Sequence, residues 1–150
     1  MQTLKHKILN YYKQQVEDRI DAFRDMIAAL TEDAANDAKG SAGDKHETAL
    51  SMMHLEQEKL NHKLGEFIAQ KGILEKINPD VKTVKVAIGS LVKANDMLLF
   101  VSAALPKIII DGTTVIALSP QSPLGTKLMG MEEKSEFEIS GTKYKIEEIA

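Results

Sequence analysis

Apolar residues at steps of four and three run through the first half of this sequence, with no Pro or Gly before Gly40. They fall at Leu4, Ile8, Tyr12, Val16, Ile20, Phe23, Ile27 and Leu30. Such spacing lines one face of a helix and leaves the rest to charged residues, here Glu17, Asp18, Arg19, Asp21, Arg24 and Asp25. It predicts one helix over residues 4–38. Past Thr31 the stripe thins to Ala34, Ala35 and Ala38, and Gly40 is a natural stop. A second stripe, Leu50, Met53, Gln57, Leu60, Leu64, Phe67, Lys71 and Leu74, repeats in coiled-coil register with two polar exceptions. It predicts a helix over 44–77, ended by Asn78-Pro79-Asp80. Gly65 and Gly72 each cost it roughly 1 kcal/mol relative to Ala, so packing must support it.

Two antiparallel helices with a short connection make a helical hairpin. About 35 residues at about 1.5 Å each give a helix on the order of 50 Å, too long to be a globular core. The hairpin therefore needs a body, and residues 79–150 are expected to supply it. Domain limits of 1–78 and 79–150 follow. The connection, Lys39-Gly40-Ser41-Ala42-Gly43-Asp44-Lys45-His46-Glu47, is polar and acid-bearing. Residues 31–47 carry five acids (Glu32, Asp33, Asp37, Asp44, Glu47) and two bases (Lys39, Lys45), a balance of 2 − 5 = −3. The whole chain is also −3, so its excess negative charge sits at this tip.

The second half changes period. Residues 81–88 alternate partly, as in a half-buried strand. Residues 90–93 and 97–104 flank a turn at Ala94-Asn95-Asp96. Residues 107–110 and 113–118 flank Asp111-Gly112, a strong two-residue hairpin signal. Ser119-Pro120-Gln121-Ser122-Pro123 reads as a kinked loop, and 124–129 as a short helix stopped by Gly130. Residues 136–140 and 143–149 flank a last turn at Gly141-Thr142. The class expected is α+β: a coiled-coil hairpin, then a small antiparallel sheet carrying one short helix.

Composition excludes several functions. There is no Cys, hence no disulfide, thiolate metal site or Cys nucleophile; this fits a cytoplasmic protein. No apolar run is long enough to span a membrane, and the N-terminus lacks the apolar core of a signal peptide. A net negative chain is unsuited to electrostatic capture of DNA.

Two motifs resemble those of the bacterial Gre transcript-cleavage (transcription elongation) factors. Gly43-Asp44-Lys45-His46-Glu47-Thr48-Ala49 is similar to that family's tip motif. Ser122-Pro123-Leu124-Gly125-Thr126-Lys127-Leu128-Met129-Gly130 is similar to its body motif, and the ending Gly141-Thr142-Lys143-Tyr144-Lys145-Ile146-Glu147-Glu148-Ile149 resembles its last strand. The resemblance implies an FKBP-like C-terminal domain that docks on RNA polymerase, with Ser122, Pro123, Leu124 and Gly125 as docking residues. The hairpin would enter the polymerase's secondary channel. Asp44 and Glu47 would there help hold a Mg²⁺ shared with the polymerase, bound only in that complex, so that the enzyme cuts its own backtracked RNA. The factor itself would not be an enzyme. Thr48, Lys45 and Leu50-Ser51 depart from the family pattern, which keeps a channel-binding regulator without cleavage stimulation as the alternative, and a coiled-coil adaptor unrelated to transcription as a third.

Plainer readings stand beside these. Asp44 and Glu47 form a capping-box pattern. Glu32, Asp33 and Asp37 suit a solvated helix end. His54, Glu58, His62 and Glu66 recur every four residues off the apolar seam, as an exposed stripe of ion pairs would. An FKBP-like domain also raises prolyl isomerase activity, but residues 79–150 hold only Phe100, Phe137 and Tyr144 as aromatics, a poor lining for such a pocket.

Overall fold

The structure is a computed structural model. It describes residues 1–38 and 44–150, without the side chains of residues 37, 38 and 44–46. It is α+β: two long helices, α1 (Gln2–Ala38) and α2 (Asp44–Glu75), precede a six-stranded mixed sheet. The expected turn at 39–43 lies outside the described residues. Among the described residues, no helix is long and apolar enough to cross a membrane. The chain forms two compact units, residues 14–71 and residues 1–13 with 72–150.

In the first unit α1 and α2 pack along the two stripes. Val16, Ile20 and Phe67 are buried, whereas Phe23, Ile27, Leu30, Met53, Leu60 and Leu64 are half-buried. Two helices alone can each cover only one face of the other, so the seam stays partly wet. Phe67 is its rivet. Phe23 meets it edge-on at 5.1 Å, and Arg19 and Lys63 place their charges 5.8 and 5.3 Å from its ring centre. Both polar exceptions find partners across the seam. Gln57 Nε2 donates to Thr31 Oγ1 at 2.8 Å, and Lys71 Nζ pairs with Glu17 at 2.9 Å.

In the second unit, α2 tightens at its end. Lys76 and Ile77 donate to carbonyls three residues back, and the Asn78 side chain caps a turn by accepting from the Asp80 N–H. The helix therefore ends two residues earlier than the sequence predicts. Residues 81–88 are not a strand. Their alternation fits period two, but Val81, Val84 and Ile88 are exposed, Val84 by 78%, and only Val86 is buried. Val86 exchanges one pair of hydrogen bonds with Gly130 and Met131 and extends no ladder.

The strands are β1 (Leu91–Ala94), β2 (Met97–Val101), β3 (Ile108–Ile110), β4 (Thr113–Leu118), β5 (Glu136–Ile139) and β6 (Thr142–Ile149), with α3 (Pro123–Leu128) between β4 and β5. Their spatial order is β3-β4-β2-β1-β6-β5. The sheet is mixed, not antiparallel as expected, because β4 lies parallel to β2. The three-residue β3 carries an exposed Ile109 and takes the edge. Apolar β4, with Val115, Ala117 and Leu118 buried, takes the place beside β2. Asn95 and Asp96, and Asp111 and Gly112, all have positive φ, as tight hairpin turns require. In the last hairpin those positions are Ser140 and Gly141, one residue earlier than predicted.

Both faces of the central strands are covered. Val92, Ala94, Leu99 and Val101 cluster with Val86, Leu118, Ile146, Ile149 and Leu128 of α3. Phe100 points the other way, as alternation demands, and stacks on Tyr12 of α1 at 6.3 Å. The Tyr12 hydroxyl donates to the Pro106 carbonyl at 2.8 Å. Burial, with Tyr11 adding to it, pushes the Tyr12 phenol up to about 12.

Candidate functional site

The sequence nominates two separate places. At the first, Asp44 is the opening residue of α2 and Glu47 follows one turn later. Residues three apart on a helix share a face, so the backbone puts the two acids on one side of the first turn. Glu47 is exposed; the Asp44 side chain lies outside the described residues. Acids in a first helical turn gain about 0.3–1 kcal/mol from the helix dipole, which accounts for both residues without any ligand. As a donor set, two carboxylates suit Mg²⁺, which prefers oxygen and commonly takes only one or two protein carboxylates. Glu32 and Asp33 are exposed near the end of α1; the Asp37 side chain is not described.

The second place is Ser122-Pro123-Leu124-Gly125. Ser122 is the N-cap of α3: its Oγ accepts the Gly125 N–H at 3.0 Å and donates to the Ser119 carbonyl at 2.7 Å. Pro123 fills the first helical position, where no N–H is needed. Gly125 is obligatory for space. A Cβ there would sit 2.0 Å from the Ser119 carbonyl oxygen. Leu124 is half-buried against the core, and Leu128, fully buried, is the deeper plug. Gly130, at φ +81°, ends α3 as read from the sequence. The motif thus has a full structural role, with Pro123 left exposed.

The four-residue stripe on α2 is exposed throughout. Its one ion pair joins His62 to Glu66 at 3.3 Å, and Lys63 reaches the same carboxylate at 3.0 Å. The Lys63 hydrogen bond and charge, with His62 beside them, hold the Glu66 carboxyl below the usual range. Among the described residues, no group of three or more His, Asp and Glu is placed to hold a metal.

Two features were not legible in advance. Tyr12 read as one more seam residue, yet it anchors α1 to the sheet. Lys5 was not singled out at all, yet it is buried. Its only sequence signal is its place beside the apolar stripe, between Leu4 and Ile8. Compared with protein-family models and with curated proteins, the chain matches none.

Proposed function

We propose that the chain is a Gre-like factor of RNA polymerase, with a coiled-coil hairpin that enters the secondary channel and an FKBP-like domain that docks outside it. The reading rests above all on one observation: a pair of acids in the first turn of a long helix, in a chain that also carries the Ser-Pro-Leu-Gly body motif. Asp44 and Glu47 would complete a Mg²⁺ site with groups of the polymerase. The ion, when bound there, supplies charge for the reacting phosphate oxygens. The two acids do not form such a site by themselves, so tight Mg²⁺ binding by the free protein is not expected. Pro123, exposed beside its capped turn, belongs to the proposed docking face with Ser122, Leu124 and Gly125. The polymerase would perform the cleavage and the factor would stimulate it, in the cytoplasm.

A second reading has specific support in Lys45, Thr48 and Leu50-Ser51, which replace the residues expected around the acids. In that reading the protein occupies the channel and regulates the polymerase without stimulating cleavage.

Backtracked elongation complexes with end-labelled RNA separate the two. The native protein should release short 3′ fragments, and Asp44→Ala or Glu47→Ala should suppress release by at least about tenfold while binding is kept. Binding without release by the native protein selects the regulator. No binding to polymerase removes both.

A further inference from the structure

Within the unit formed by residues 1–13 and 72–150, a cavity of about 380 Å³ is lined by Lys5, Lys76, Ile77, Asn78, Val81, Thr83, Ile88 and Gly89. Its size is at the lower end of small-molecule sites. Lys5 is 1% exposed, and its ammonium donates to the Val81 carbonyl at 2.8 Å. An ammonium carries three donors, and a buried cation normally has an acid beside it. Here it has none: among the described residues no salt bridge involves Lys5. Asp80, adjacent to Val81 in the chain, pairs instead with His6 at 2.7 Å. Burial accordingly lowers the Lys5 pKa.

The walls have the opposite peculiarity. Val81 and Ile88 are large aliphatic residues left 52% and 56% exposed. They are not on a loose strand of chain. Ser90 Oγ accepts the Ala87 N–H at 2.9 Å and bonds Thr83 Oγ1 at 2.6 Å. The Gly89 N–H donates to the Val101 carbonyl at 2.7 Å. A Cβ on Gly89 would come within 3.1 Å of the Ile77 side chain, and its φ of +93° also selects glycine. The cavity is therefore held open by its own loop, and a ligand would meet little ordering cost.

We propose that this cavity binds a small aliphatic monocarboxylate, its carboxylate on the Lys5 ammonium and its branched tail against Ile77, Val81 and Ile88. The ligand supplies the acid that the buried cation lacks and covers the two exposed aliphatic side chains. A carboxylate fits better than a phosphate. Lys5 is the one buried ammonium on a lining whose other basic residue, Lys76, is exposed, whereas a phosphate needs several donors. This site is separate from the helical tip and from the Ser-Pro-Leu-Gly turn.

The test is a titration of the ¹⁵N-labelled full chain with sodium 4-methylvalerate. Saturable shifts are expected at the amides of Val81, Ile88 and Gly89. The neutral isostere 4-methyl-1-pentanol should bind at least about tenfold more weakly, a difference of about 1.4 kcal/mol. Lys5→Met keeps the apolar stem and removes the charge, and should weaken carboxylate binding by a similar factor with helical circular dichroism retained. Absence of shifts at those amides overturns the proposal, as does equal binding of the alcohol. The isostere comparison uses the native chain, so it decides even where Lys5→Met fails to fold.

Discussion

The two units reach order by different means. The helical unit, residues 14–71, buries a thin seam and leaves most of its contact residues half-wet. The sheet unit buries Val92, Leu99, Phe100 and Val101 completely, between helix ends on one face and α3 on the other. The first depends on local terms: propensity, periodic spacing and a single aromatic rivet. The second depends on pairings between residues far apart in the chain. The same kind of substitution should therefore have unlike consequences in each.

The largest contrast is expected from core truncation. Phe100→Ala should lose about 3–5 kcal/mol in urea unfolding, because it empties a site between Tyr12 and the sheet. Ile27→Ala, on the half-wet seam, should lose only on the order of 1 kcal/mol. Equal losses would mean that the seam is packed as tightly as the sheet.

Next come the glycines. Gly125→Ala drives a methyl into the Ser119 carbonyl oxygen and should cost about 2–4 kcal/mol by the same measurement. Gly65 has nothing within 4 Å of a built Cβ. Gly65→Ala should stabilise the helical unit by about 0.5–1 kcal/mol. If it does not, local propensity is not what limits that unit.

A pH series sharpens the comparison further. The Tyr12 phenol titrates near 12 in the folded chain against an ordinary value of 10. Its folded form thus favours the neutral phenol. That stabilisation is complete below pH 10 and is lost as pH rises from 10 towards 12, on the order of 2–3 kcal/mol in all. Tyr12→Phe should abolish this alkaline loss, at the expense of about 1 kcal/mol near neutrality for the hydrogen bond to Pro106. The smallest effect should come from Lys71→Met, whose half-exposed pair with Glu17 is worth at most about 1 kcal/mol. It reads out as a shift of the denaturation midpoint that fades in high salt.

What could be read from the sequence follows the same division. Both long helices were legible because Leu, Ile and Phe recur at helical spacing. The tight turns at Asn95-Asp96 and Asp111-Gly112 were legible because few residues tolerate positive φ. The parallel contact of β2 with β4 was not, since it joins strands that are not neighbours in the chain and leaves no local mark. Residues 81–88 misled because Val and Lys alternate there as in a strand, whereas the backbone spends its hydrogen bonds on a loop. At the tip, residue type named Asp44 and Glu47, and both open α2. Lys5 could not be singled out, because the Val81 carbonyl that receives its ammonium lies 76 residues later.

That separation has a consequence for how the chain is made. Tyr12 leaves the ribosome early, but the Pro106 carbonyl that receives its hydroxyl lies 94 residues further on. At about 5–20 residues per second, the start of α1 waits roughly 5–20 s for the surface that will cover Ile8, Leu9 and Tyr12. Over that interval the nascent protein displays an unshielded apolar helix, and a chaperone that recognises such helices would find its substrate there.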